Sequence, residues 1–435
     1  MKLAGKHVAV LGAGRSGLAA AALARREGAR VSLWDSGEIA ADKVPAGVEI
    51  HPHAGEEQGR GLVCDVLVTS PGIDTYGPYV RAFGGNAGEL IGEVELAFRF
   101  YQGRVVGITG TNGKTTCTEL VGRILAEAGM GGDSCGNYGP PLSEIVMKED
   151  APAAVALELS SFQLETIRTL RPDVAVWLNF APDHMDRYPT VEAYKEAKLR
   201  VFDYQVPGDL VVVRTGENLP ELEADVVEFS TDDPEADWFS NGVQILHDGA
   251  VVLDLEQHTS LRGLHNAENA MAAMAACAHF GIPLETMRKA LKGYAPPPHR
   301  CELIRTLDGV EYLNDSKATN LHALESALRS QSRPVVLIAG GKEKGLDYGP
   351  LVPVLQEKAL AAVTFGEIGE PLSAVFSQAV PTQAVETLEQ ALAAAQAAAP
   401  VGSTVLLSPG TSSFDQFNSY VHRGDCFRDL VLSLC

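Results

Sequence analysis

The chain has 435 residues, more than one ordinary core accommodates, and this length predicts about three domains. Its composition, 46% hydrophobic and 21% charged, is that of a soluble globular protein, and its net charge of −21 disfavours a nucleic-acid or anionic-membrane partner. The seven cysteines are scattered and form no C-x-x-C pair, which argues against a disulfide framework or a zinc cage. The sequence shows no recognisable signal peptide and no apolar stretch of membrane-spanning length, and we therefore predict a cytoplasmic protein.

The first predicted strand, His7 to Leu11, leads into a glycine-rich turn and an alanine-rich helix. The turn, Gly12 to Gly17, has the spacing G-x-G-x-x-G, and a second strand, Arg30 to Trp34, ends at Asp35. This pattern is a Rossmann fingerprint, typical of an NAD site and so of an oxidoreductase. A purely structural turn in another α/β domain is the alternative, and a domain ending near Glu93 is short for a full dinucleotide site.

The stretch Arg104 to Leu120 predicts a phosphate-binding loop. An apolar run suited to a buried strand, Val105 to Ile108, precedes a helix-forming run, and between them lies the loop Gly110, Thr111, Asn112, Gly113, Lys114, Thr115, Thr116. In such a loop backbone N–H groups face the phosphates, the lysine neutralises them, and the next hydroxyl can bind Mg²⁺. The common P-loop pattern has glycine where Ile108 stands, and a glycine-rich surface loop is the alternative. We predict that the chain binds ATP.

Three further residues of the central region suit a metal site only when they are taken together. Glu158 lies near the end of the predicted strand Ala154 to Leu159, where a carboxylate beside a phosphate loop can hold Mg²⁺. A polar loop contains His184, and the predicted helix Val191 to Phe202 carries Lys198. Taken singly, the histidine is an ordinary loop residue and the lysine a solvated helix residue.

The clearest linker is Ala295 to Pro298, which is stiff because each proline fixes its φ angle. Beyond it strands and helices alternate again, with strands expected at Glu311 to Leu313, Pro334 to Ala339, Ala361 to Phe365 and Thr404 to Leu407. The sequence therefore predicts an α/β protein of three domains: a Rossmann-like domain (1–93), a central P-loop ATPase-like domain (94–297) and a Rossmann-like C-terminal domain (298–435).

Seven polar motifs occur in the order typical of one family. They are GTNGKTT, LELSSFQLE (157–165), DHMDRYP (183–189), AKLR (197–200), PHR (298–300), NDSKATN (314–320) and LLSPGTSSFDQF (406–417). On these motifs the chain, over essentially its whole length, resembles the Mur ligases, ATP-dependent enzymes that join a carboxylate to an amino acid through an acyl phosphate. NDSKATN and SPGTSSFDQF point to the member that adds D-glutamate to UDP-N-acetylmuramoyl-L-alanine in cytoplasmic peptidoglycan precursor synthesis. The related folylpolyglutamate synthetases are disfavoured by the Rossmann-like first domain.

The resemblance reassigns the first domain to the UDP of a sugar nucleotide, with no dinucleotide. It implies that the uridine or diphosphate lies near Ser16, Asp35, Ser36 and Gly72, and that two central residues also reach this substrate, Asn137 and His184. The chain departs from the family at Gly37, where some members have an arginine beside the uracil.

The resemblance also implies a catalytic set of Lys114, Glu158, His184 and Lys198. Lys114 is expected to hold the β- and γ-phosphates, while Thr115 and Glu158 hold one Mg²⁺. Lys198 is expected to be carbamylated by CO₂, and its carbamate and His184 to hold a second Mg²⁺.

The remaining implied contacts concern the nucleotide and the incoming amino acid. Adenine, phosphate and ribose are expected to be bound by Asn269, Arg300 and Asp315. The C-terminal domain is expected to bind D-glutamate through Lys317, Thr319, Lys344, Ser413 and Tyr420, of which Tyr420 replaces a phenylalanine seen in some relatives. Without the resemblance, Ser413 and Tyr420 read as a capped turn and a packed aromatic residue.

Two other classes of protein stay open on the sequence. A nicotinamide-dependent dehydrogenase explains Gly12 to Asp35 but gives the ATP loop no role. A non-catalytic nucleotide-binding module explains the loops but not the coexistence of Glu158, His184 and Lys198. We predict a monomeric enzyme.

Overall fold

In a computed structural model, which describes residues 2–185, 187–295 and 297–434, the chain forms three β-sheets flanked by helices. The predicted α/β class, with one sheet for each predicted domain, is confirmed. Asp186 of the DHMDRYP motif, Pro296 of the linker and the two terminal residues lie outside the described residues. No helix within these ranges is both long and apolar enough to span a membrane.

The first sheet is parallel, in the order β3-β2-β1-β4-β5. Its strands are β1 (His7–Leu11), β2 (Arg30–Trp34), β3 (Val48–His51), β4 (Val66–Thr69) and β5 (Leu90–Gly92), with helices α1 (Arg15–Arg26), α2 (Glu56–Arg60), α3 (Pro78–Gly84) and α4 (Glu93–Phe98). The strand order reverses between β1 and β4, and ligands of open α/β sheets bind at such a switch point. A Cβ atom on Gly17 would lie 1.8 Å from the carbonyl oxygen of Gly12, so helix α1 can start this close to β1 only with glycine there.

The central sheet has nine strands, in the order β14-β13-β12-β11-β10-β9-β6-β8-β7. They are β6 (Arg104–Thr109), β7 (Gly131–Gly136), β8 (Ala154–Glu158), β9 (Val174–Trp177), β10 (Leu210–Arg214), β11 (Asp225–Ser230), β12 (Trp238–Ser240), β13 (Gln244–His247) and β14 (Ala250–Asp254). Its helices are α5 (Lys114–Glu127), α6 (Leu142–Val146), α7 (Ser161–Leu164), α8 (Val191–Leu199), α9 (Leu255–His258), α10 (Leu264–Ala278) and α11 (Leu284–Leu291). Strand β6 lies between β8 and β9 and is parallel to both, so the loops after these three strands meet at one edge.

The third sheet has the order β15-β16-β20-β17-β18-β19, with an antiparallel β15–β16 hairpin and parallel pairs elsewhere. Its strands are β15 (Glu302–Leu307), β16 (Val310–Asn314), β17 (Val335–Gly340), β18 (Ala359–Phe365), β19 (Thr382–Ala384) and β20 (Thr404–Leu407). Its helices are α12 (Leu321–Arg329), α13 (Val352–Lys358), α14 (Gly369–Phe376), α15 (Leu388–Ala398) and α16 (Tyr420–Ser433). The NDSKATN, Gly340-Gly341 and SPGTSS loops follow β16, β17 and β20, which are neighbours, so the loops lie together.

The first two sheets share one hydrophobic core, which runs from Val8 and Val10 to Val155 and Trp177. A buried carboxylate strengthens the connection, because Oε2 of Glu95 on α4 accepts three backbone N–H bonds, at 2.9–3.0 Å, from residues 168–170. These contacts explain why the two sheets fall within one compact unit.

The chain divides into two compact units, Met1–His258 with Asn266–Lys292, and Thr259–His265 with Gly293–Cys435. The segment Thr259–His265 thus belongs with the third sheet although it lies far earlier in the chain. It is held there by a bond of 2.7 Å from the N–H of Ser260 to the carbonyl oxygen of Tyr294. The bounds of the three predicted domains stay a prediction.

Candidate active site

The phosphate loop has the backbone that a cradle for phosphates requires. Gly110 and Gly113 adopt φ angles of 146° and 83°, which residues with side chains rarely adopt. A Cβ atom on Gly113 would also lie 2.2 Å from Oδ1 of Asn269, a residue predicted to bind adenine, so the structure places Asn269 against the loop. Lys114 begins α5, and its Nζ donates to the carbonyl oxygens of Gly110 (2.9 Å) and Thr111 (2.8 Å).

The loop is fixed to the segment after β9 by side-chain bonds. The hydroxyl of Thr111 donates to the carbonyl oxygen of Ala181 at 3.0 Å, and the N–H of Asn112 donates to Oδ1 of Asn179 at 2.9 Å. Sequence analysis did not single out Asn179, whose only signal is its position at the end of a buried strand. These bonds tie the phosphate loop to the loop after β9.

Glu158 ends β8, paired in register with Ile108 immediately before the phosphate loop. Its side chain is buried, and Oε1 accepts a bond of 2.7 Å from the side-chain amide of Asn137. Oε2 is also buried and has no hydrogen-bond partner among the described residues. An unpaired buried carboxylate oxygen beside a phosphate loop suits a bound cation.

Lys198 is a buried residue, contrary to what a lone helix lysine suggests. Helix α8 is capped by the hydroxyl of Thr190, and two turns later Lys198 is 1% exposed. Its Nζ donates to the carbonyl oxygen of Gly110 at 2.8 Å and lies 4.9 Å from the ring centre of Tyr194. Burial, and then the charge of Lys114, lower the pKa of Lys198 well below its usual value, although Asp183 and Glu158 oppose this.

His184 and Lys198 both contact the aromatic ring of Tyr194. The imidazole of His184 meets Tyr194 edge-on with ring centres 5.8 Å apart, and it meets Phe162 at 4.9 Å. The residue has a left-handed backbone, with φ of 58°, and its N–H donates to Oδ1 of Asp183 at 2.8 Å. The structure therefore brings Lys114 and Lys198 together at Gly110, and Lys198 and His184 together at Tyr194.

The oxygen atoms near the phosphate loop suit Mg²⁺, but too few of them are carboxylates to hold the ion without further ligands. Within residues 2–185, 187–295 and 297–434, no three His, Cys, Asp or Glu side chains are grouped as a metal site. The unpaired oxygen of Glu158 and the hydroxyl of Thr115 are hard oxygen donors of the type that Mg²⁺ prefers. Phosphate oxygens and water supply the remaining ligands in such sites.

The predicted UDP residues lie in the first turn of α1 and in the loops after β2 and β4 of the first sheet. Asp35 joins the end of β2 to the glycine-rich turn before α1, since its Oδ2 accepts from the N–H of Ala13 at 2.7 Å and its Oδ1 from the N–H of Gly37 at 2.8 Å. Ser36 and Gly72 are exposed, and Ser16 is half-buried. A Cβ atom on Gly37 would make only an ordinary contact, at 3.4 Å, so the backbone does not require glycine there.

Four of the five residues predicted for D-glutamate lie in pairs. Nζ of Lys317 is 4.1 Å from the ring centre of Tyr420, and Nζ of Lys344 donates to the carbonyl oxygen of Thr319 at 3.2 Å. The fifth, Ser413, is buried in the loop after β20.

Arg300 precedes β15 and Asp315 follows β16, so these two residues, predicted for phosphate and ribose, flank the β15–β16 hairpin in the sequence. Asp315 accepts bonds from the hydroxyl of Ser408 (2.9 Å) and the N–H of Cys301 (3.2 Å). Burial raises the pKa of Asp315 to about 7, although these bonds and Arg300 oppose the shift. Arg300 is half-buried.

Arg423 on α16 organises the loops of this region, and sequence analysis missed it. The side chain is fully buried and donates to the hydroxyl (3.0 Å) and carbonyl oxygen (2.9 Å) of Ser316. It also donates to the carbonyl oxygens of Thr411 (3.2 Å) and Gly340 (3.5 Å). Burial lowers the pKa of Arg423 to about 10, opposed by the charges of Asp415 and Asp315.

A phosphate loop, a buried lysine and an unpaired carboxylate oxygen define a nucleotide-dependent enzyme site, and comparison with known proteins gives its class. The chain belongs to the Mur ligase family. The family model for the Mur ligase middle domain matches residues 108–277, and that for the Mur ligase glutamate ligase domain matches residues 299–410. The resemblance seen in the motifs is confirmed.

Individual relatives narrow the class. The chain is 41% identical to UDP-N-acetylmuramoylalanine--D-glutamate ligase of Myxococcus xanthus, over 100% of both chains. It is 38% identical to the ligase of the same name from Chlorobium phaeobacteroides, again over 100% of both chains.

Solved structures share the fold at low sequence identity. UDP-N-acetylmuramate-alanine ligase MurC from Thermotoga maritima aligns with a TM-score of 0.60 at 19% identity, covering 98% of this chain and 99% of that one. A pseudomurein peptide ligase type C from Methanothermus fervidus aligns with a TM-score of 0.61 at 17% identity, with the same coverage. These similarities concern the fold alone.

Proposed function

We propose that this enzyme uses ATP to join D-glutamate to UDP-N-acetylmuramoyl-L-alanine, a step in making peptidoglycan precursors. The full-length identity of 36–41% to proteins named UDP-N-acetylmuramoylalanine--D-glutamate ligase supports the choice of substrates. The observation that carries the chemistry is the convergence of Lys114, Lys198 and Glu158 on the phosphate loop. A monomer in the cytoplasm, where ATP and UDP-sugars are available, is part of the proposal.

The reaction needs two steps because a carboxylate is a poor electrophile. A carboxylate oxygen of the L-alanine end first attacks the γ-phosphorus of ATP, and ADP leaves to give an acyl phosphate. The amine of D-glutamate then attacks the acyl carbon, loses a proton, and inorganic phosphate leaves from the tetrahedral intermediate. Several anionic groups meet in both steps, so catalysis consists mainly of positioning and charge neutralisation.

The residues of the phosphate loop supply the positive charge. Lys114, whose Nζ donates to the carbonyl oxygens of Gly110 and Thr111, would turn its ammonium to the β- and γ-phosphates. Thr115 and Glu158 would hold one Mg²⁺, and His184 with a modified Lys198 a second. Bound Mg²⁺ would neutralise charge on the phosphate and acyl oxygens.

The burial of Lys198 supports the carbamate that the family resemblance implies. Carbamylation joins the lysine nitrogen to the carbon of CO₂ with loss of a proton, and it requires the neutral amine. The lowered pKa of Lys198 favours that form. The product is an anion, so it would replace the repulsion between Lys198 and Lys114 with attraction and offer oxygen ligands to a cation.

The first sheet and the C-terminal region would bind the two substrates to be joined. UDP is assigned to Ser16, Asp35, Ser36 and Gly72, with Asn137 and His184 reaching the sugar or its substituent. D-Glutamate is assigned to Lys317, Thr319, Lys344, Ser413 and Tyr420, because lysines and hydroxyls suit a ligand with two carboxylates. Asn269, Arg300 and Asp315 are assigned to the nucleotide.

Phosphate release in the presence of UDP-N-acetylmuramoyl-L-alanine, ATP and Mg²⁺ tests the proposal. We expect release to depend on added D-glutamate, and L-glutamate, L-lysine and diaminopimelate to give little. A carboxylate that is absent or misplaced leaves charges of the pocket unmatched, which costs several kcal/mol, about 10²-fold or more in rate. Equal release with L-lysine or diaminopimelate would contradict the choice of amino acid. Reduction of NAD(P)⁺ without a requirement for ATP would contradict the whole assignment.

A further inference from the structure

The side chain of Arg187 joins the first sheet to the central region. Its Nη1 donates to the carbonyl oxygen of Pro71 at 3.0 Å, and its Nη2 donates to the carbonyl oxygen of Ile73 at 3.2 Å. Both acceptors belong to the turn after β4. The arginine itself lies in the loop after β9, on the central sheet.

The guanidinium is held in place by its central-region neighbours. Nη2 donates to Oε2 of Glu165 at 3.1 Å, and the hydroxyl of Tyr188 donates to Oε1 of the same carboxylate at 2.5 Å. The guanidinium carbon lies 3.9 Å from the ring centre of Phe162. The side chains of Arg187 and Glu165 are 13% and 1% exposed, so this ion pair is largely shielded from water.

Each end of this connection meets a predicted substrate contact. Gly72, assigned to the UDP, lies between the two residues whose carbonyl oxygens Arg187 holds. At the other end, the backbone N–H of Arg187 donates to the carbonyl oxygen of His184 at 3.0 Å. One residue therefore contacts the turn that carries Gly72 and the turn that carries His184.

We propose that Arg187 is a positioning residue that sets the separation between the UDP-binding turn and the reacting end of the sugar nucleotide. The inference rests on the proposed function, because it assumes a substrate that spans both turns. Arg187 touches no reacting atom; it acts by fixing residues 71–73 relative to His184. Displacing bound reactants by about 1 Å can cost on the order of 10²-fold in rate, which gives the scale of the expected effect.

Substituting Arg187→Met tests this, because methionine keeps a flexible apolar contact with Phe162 but donates no hydrogen bond. We expect kcat/KM for the UDP-sugar substrate to fall by about 10- to 100-fold, with KM for ATP and D-glutamate changed less than about threefold. Arg187→Lys should recover part of the loss, since an ammonium keeps the charge beside Glu165 but offers its donors from one point, without the planar fork that reaches Pro71 and Ile73 together. Equal rises in KM for all three substrates, or an unchanged kcat/KM for the UDP-sugar, would overturn the proposal.

Arg26→Met is the matched control. Arg26 also connects the two sheets, through a bond of 3.0 Å from its Nη1 to the carbonyl oxygen of Val146, but it lies at the far end of α1 from the glycine turn. We expect this variant to keep wild-type kinetics. A comparable loss of kcat/KM there would show that any sheet-to-sheet bond matters, which contradicts a special role for Arg187.

Two further measurements separate positioning from folding and from the proposed function. The double variant Arg187→Met, Glu165→Gln removes the carboxylate that the single variant leaves unpaired, so it should regain thermal stability without regaining kcat/KM for the UDP-sugar. Hydrogen exchange of residues 70–77 should rise in Arg187→Met whether or not the wild-type enzyme turns over these substrates. If the wild type is inactive with them, the proposed function fails; unchanged exchange would defeat the positioning role on its own.

Discussion

Lys114 and Lys198 donate hydrogen bonds to the same atom, the carbonyl oxygen of Gly110, at 2.9 and 2.8 Å. Two ammonium groups so close together repel each other, and the more buried one yields its proton more readily. The lowered pKa of Lys198 has this origin, after burial itself. Gly110 thus accepts from one lysine of the phosphate loop, Lys114, and from one of helix α8, Lys198, whose lowered pKa favours the neutral amine that the proposed carbamate requires.

Replacing Lys198 should abolish most activity. We expect Lys198→Ala to lose roughly 10²-fold or more in kcat, the scale of losing one preorganised charge contact, while keeping its fold. Formate or acetate should restore part of the activity by placing an oxygen anion in the vacated space. Lys195→Ala on the same helix is the control, because Lys195 is half-buried and its Nζ donates to the carbonyl oxygen of Asn218 and lies over the ring of Phe180, not against Gly110. A fully active Lys198→Ala enzyme would refute the carbamate.

Removing the charge of Glu158 should weaken the response to magnesium. Glu158→Gln retains an acceptor for Asn137 but replaces the unpaired carboxylate oxygen with a poorer cation ligand. We expect the Mg²⁺ concentration for half-maximal phosphate release to rise about tenfold or more, corresponding to at least about 1.4 kcal/mol of lost binding. Glu149→Gln, at an exposed position, should not change it. An unaltered magnesium titration for Glu158→Gln would place the cation elsewhere.

Arg423 should matter both for stability and for D-glutamate. Arg423→Met leaves the carbonyl oxygens of Ser316, Thr411 and Gly340 without their buried donor, and we expect a loss of about 2–4 kcal/mol in the free energy of unfolding. KM for D-glutamate should rise more than KM for ATP, because the released loops carry the residues assigned to the amino acid. Arg428→Met, on the same helix, removes a partly exposed ion pair with Glu302 and should cost less than about 1 kcal/mol. Denaturant unfolding and steady-state kinetics of both variants measure these effects, and equal losses of stability in the two variants would contradict the role of Arg423.

Glu93, at the start of α4, should make stability depend on pH. The residue is buried, its Oε1 accepts the N–H of Ser143 at 2.7 Å, and burial raises its pKa from 4.5 to about 7. Between these two values the folded protein keeps a proton that the unfolded chain has released, so the free energy of unfolding falls as pH rises through this window.

Glu93→Gln keeps the acceptor but cannot titrate. Comparing unfolding at pH 5 and pH 8, we expect the wild type to lose on the order of 2 kcal/mol more than the variant. Parallel pH profiles of the two proteins would show that Glu93 does not carry this dependence.

Local sequence patterns predicted many of the strands and glycine-rich turns of the fold. The strands and glycine turns were recognisable because a buried parallel strand reads as an apolar run and a tight turn needs glycine. Small differences have local causes: the helix predicted to reach Phe202 ends at Leu199, because the last three residues, Arg200–Phe202, tighten into a 3₁₀ turn.

Long-range contacts could not be read in the same way. Arg187, Arg423 and Asn179 look like ordinary polar residues, since one sequence gives no sign of which arginine is buried against backbone carbonyls far along the chain. The connection between the first two sheets is strengthened by Glu95, a helix residue whose backbone donors, residues 168–170, lie more than 70 positions away. The burial of Lys198 could not be predicted either, because a single helix lysine is usually solvated and the contact with Gly110 spans 88 positions.

The early segment Thr259–His265 has a practical consequence for dissecting this enzyme. A protease that cuts the proline-rich connection would nick the backbone without releasing a complete C-terminal fragment, because part of that unit remains covalently attached to the other one. An expression clone that starts at Gly293 would likewise lack the N–H of Ser260 that Tyr294 accepts. A clone intended to fold independently would have to carry residues 259–265, fused ahead of Gly293 by a short linker.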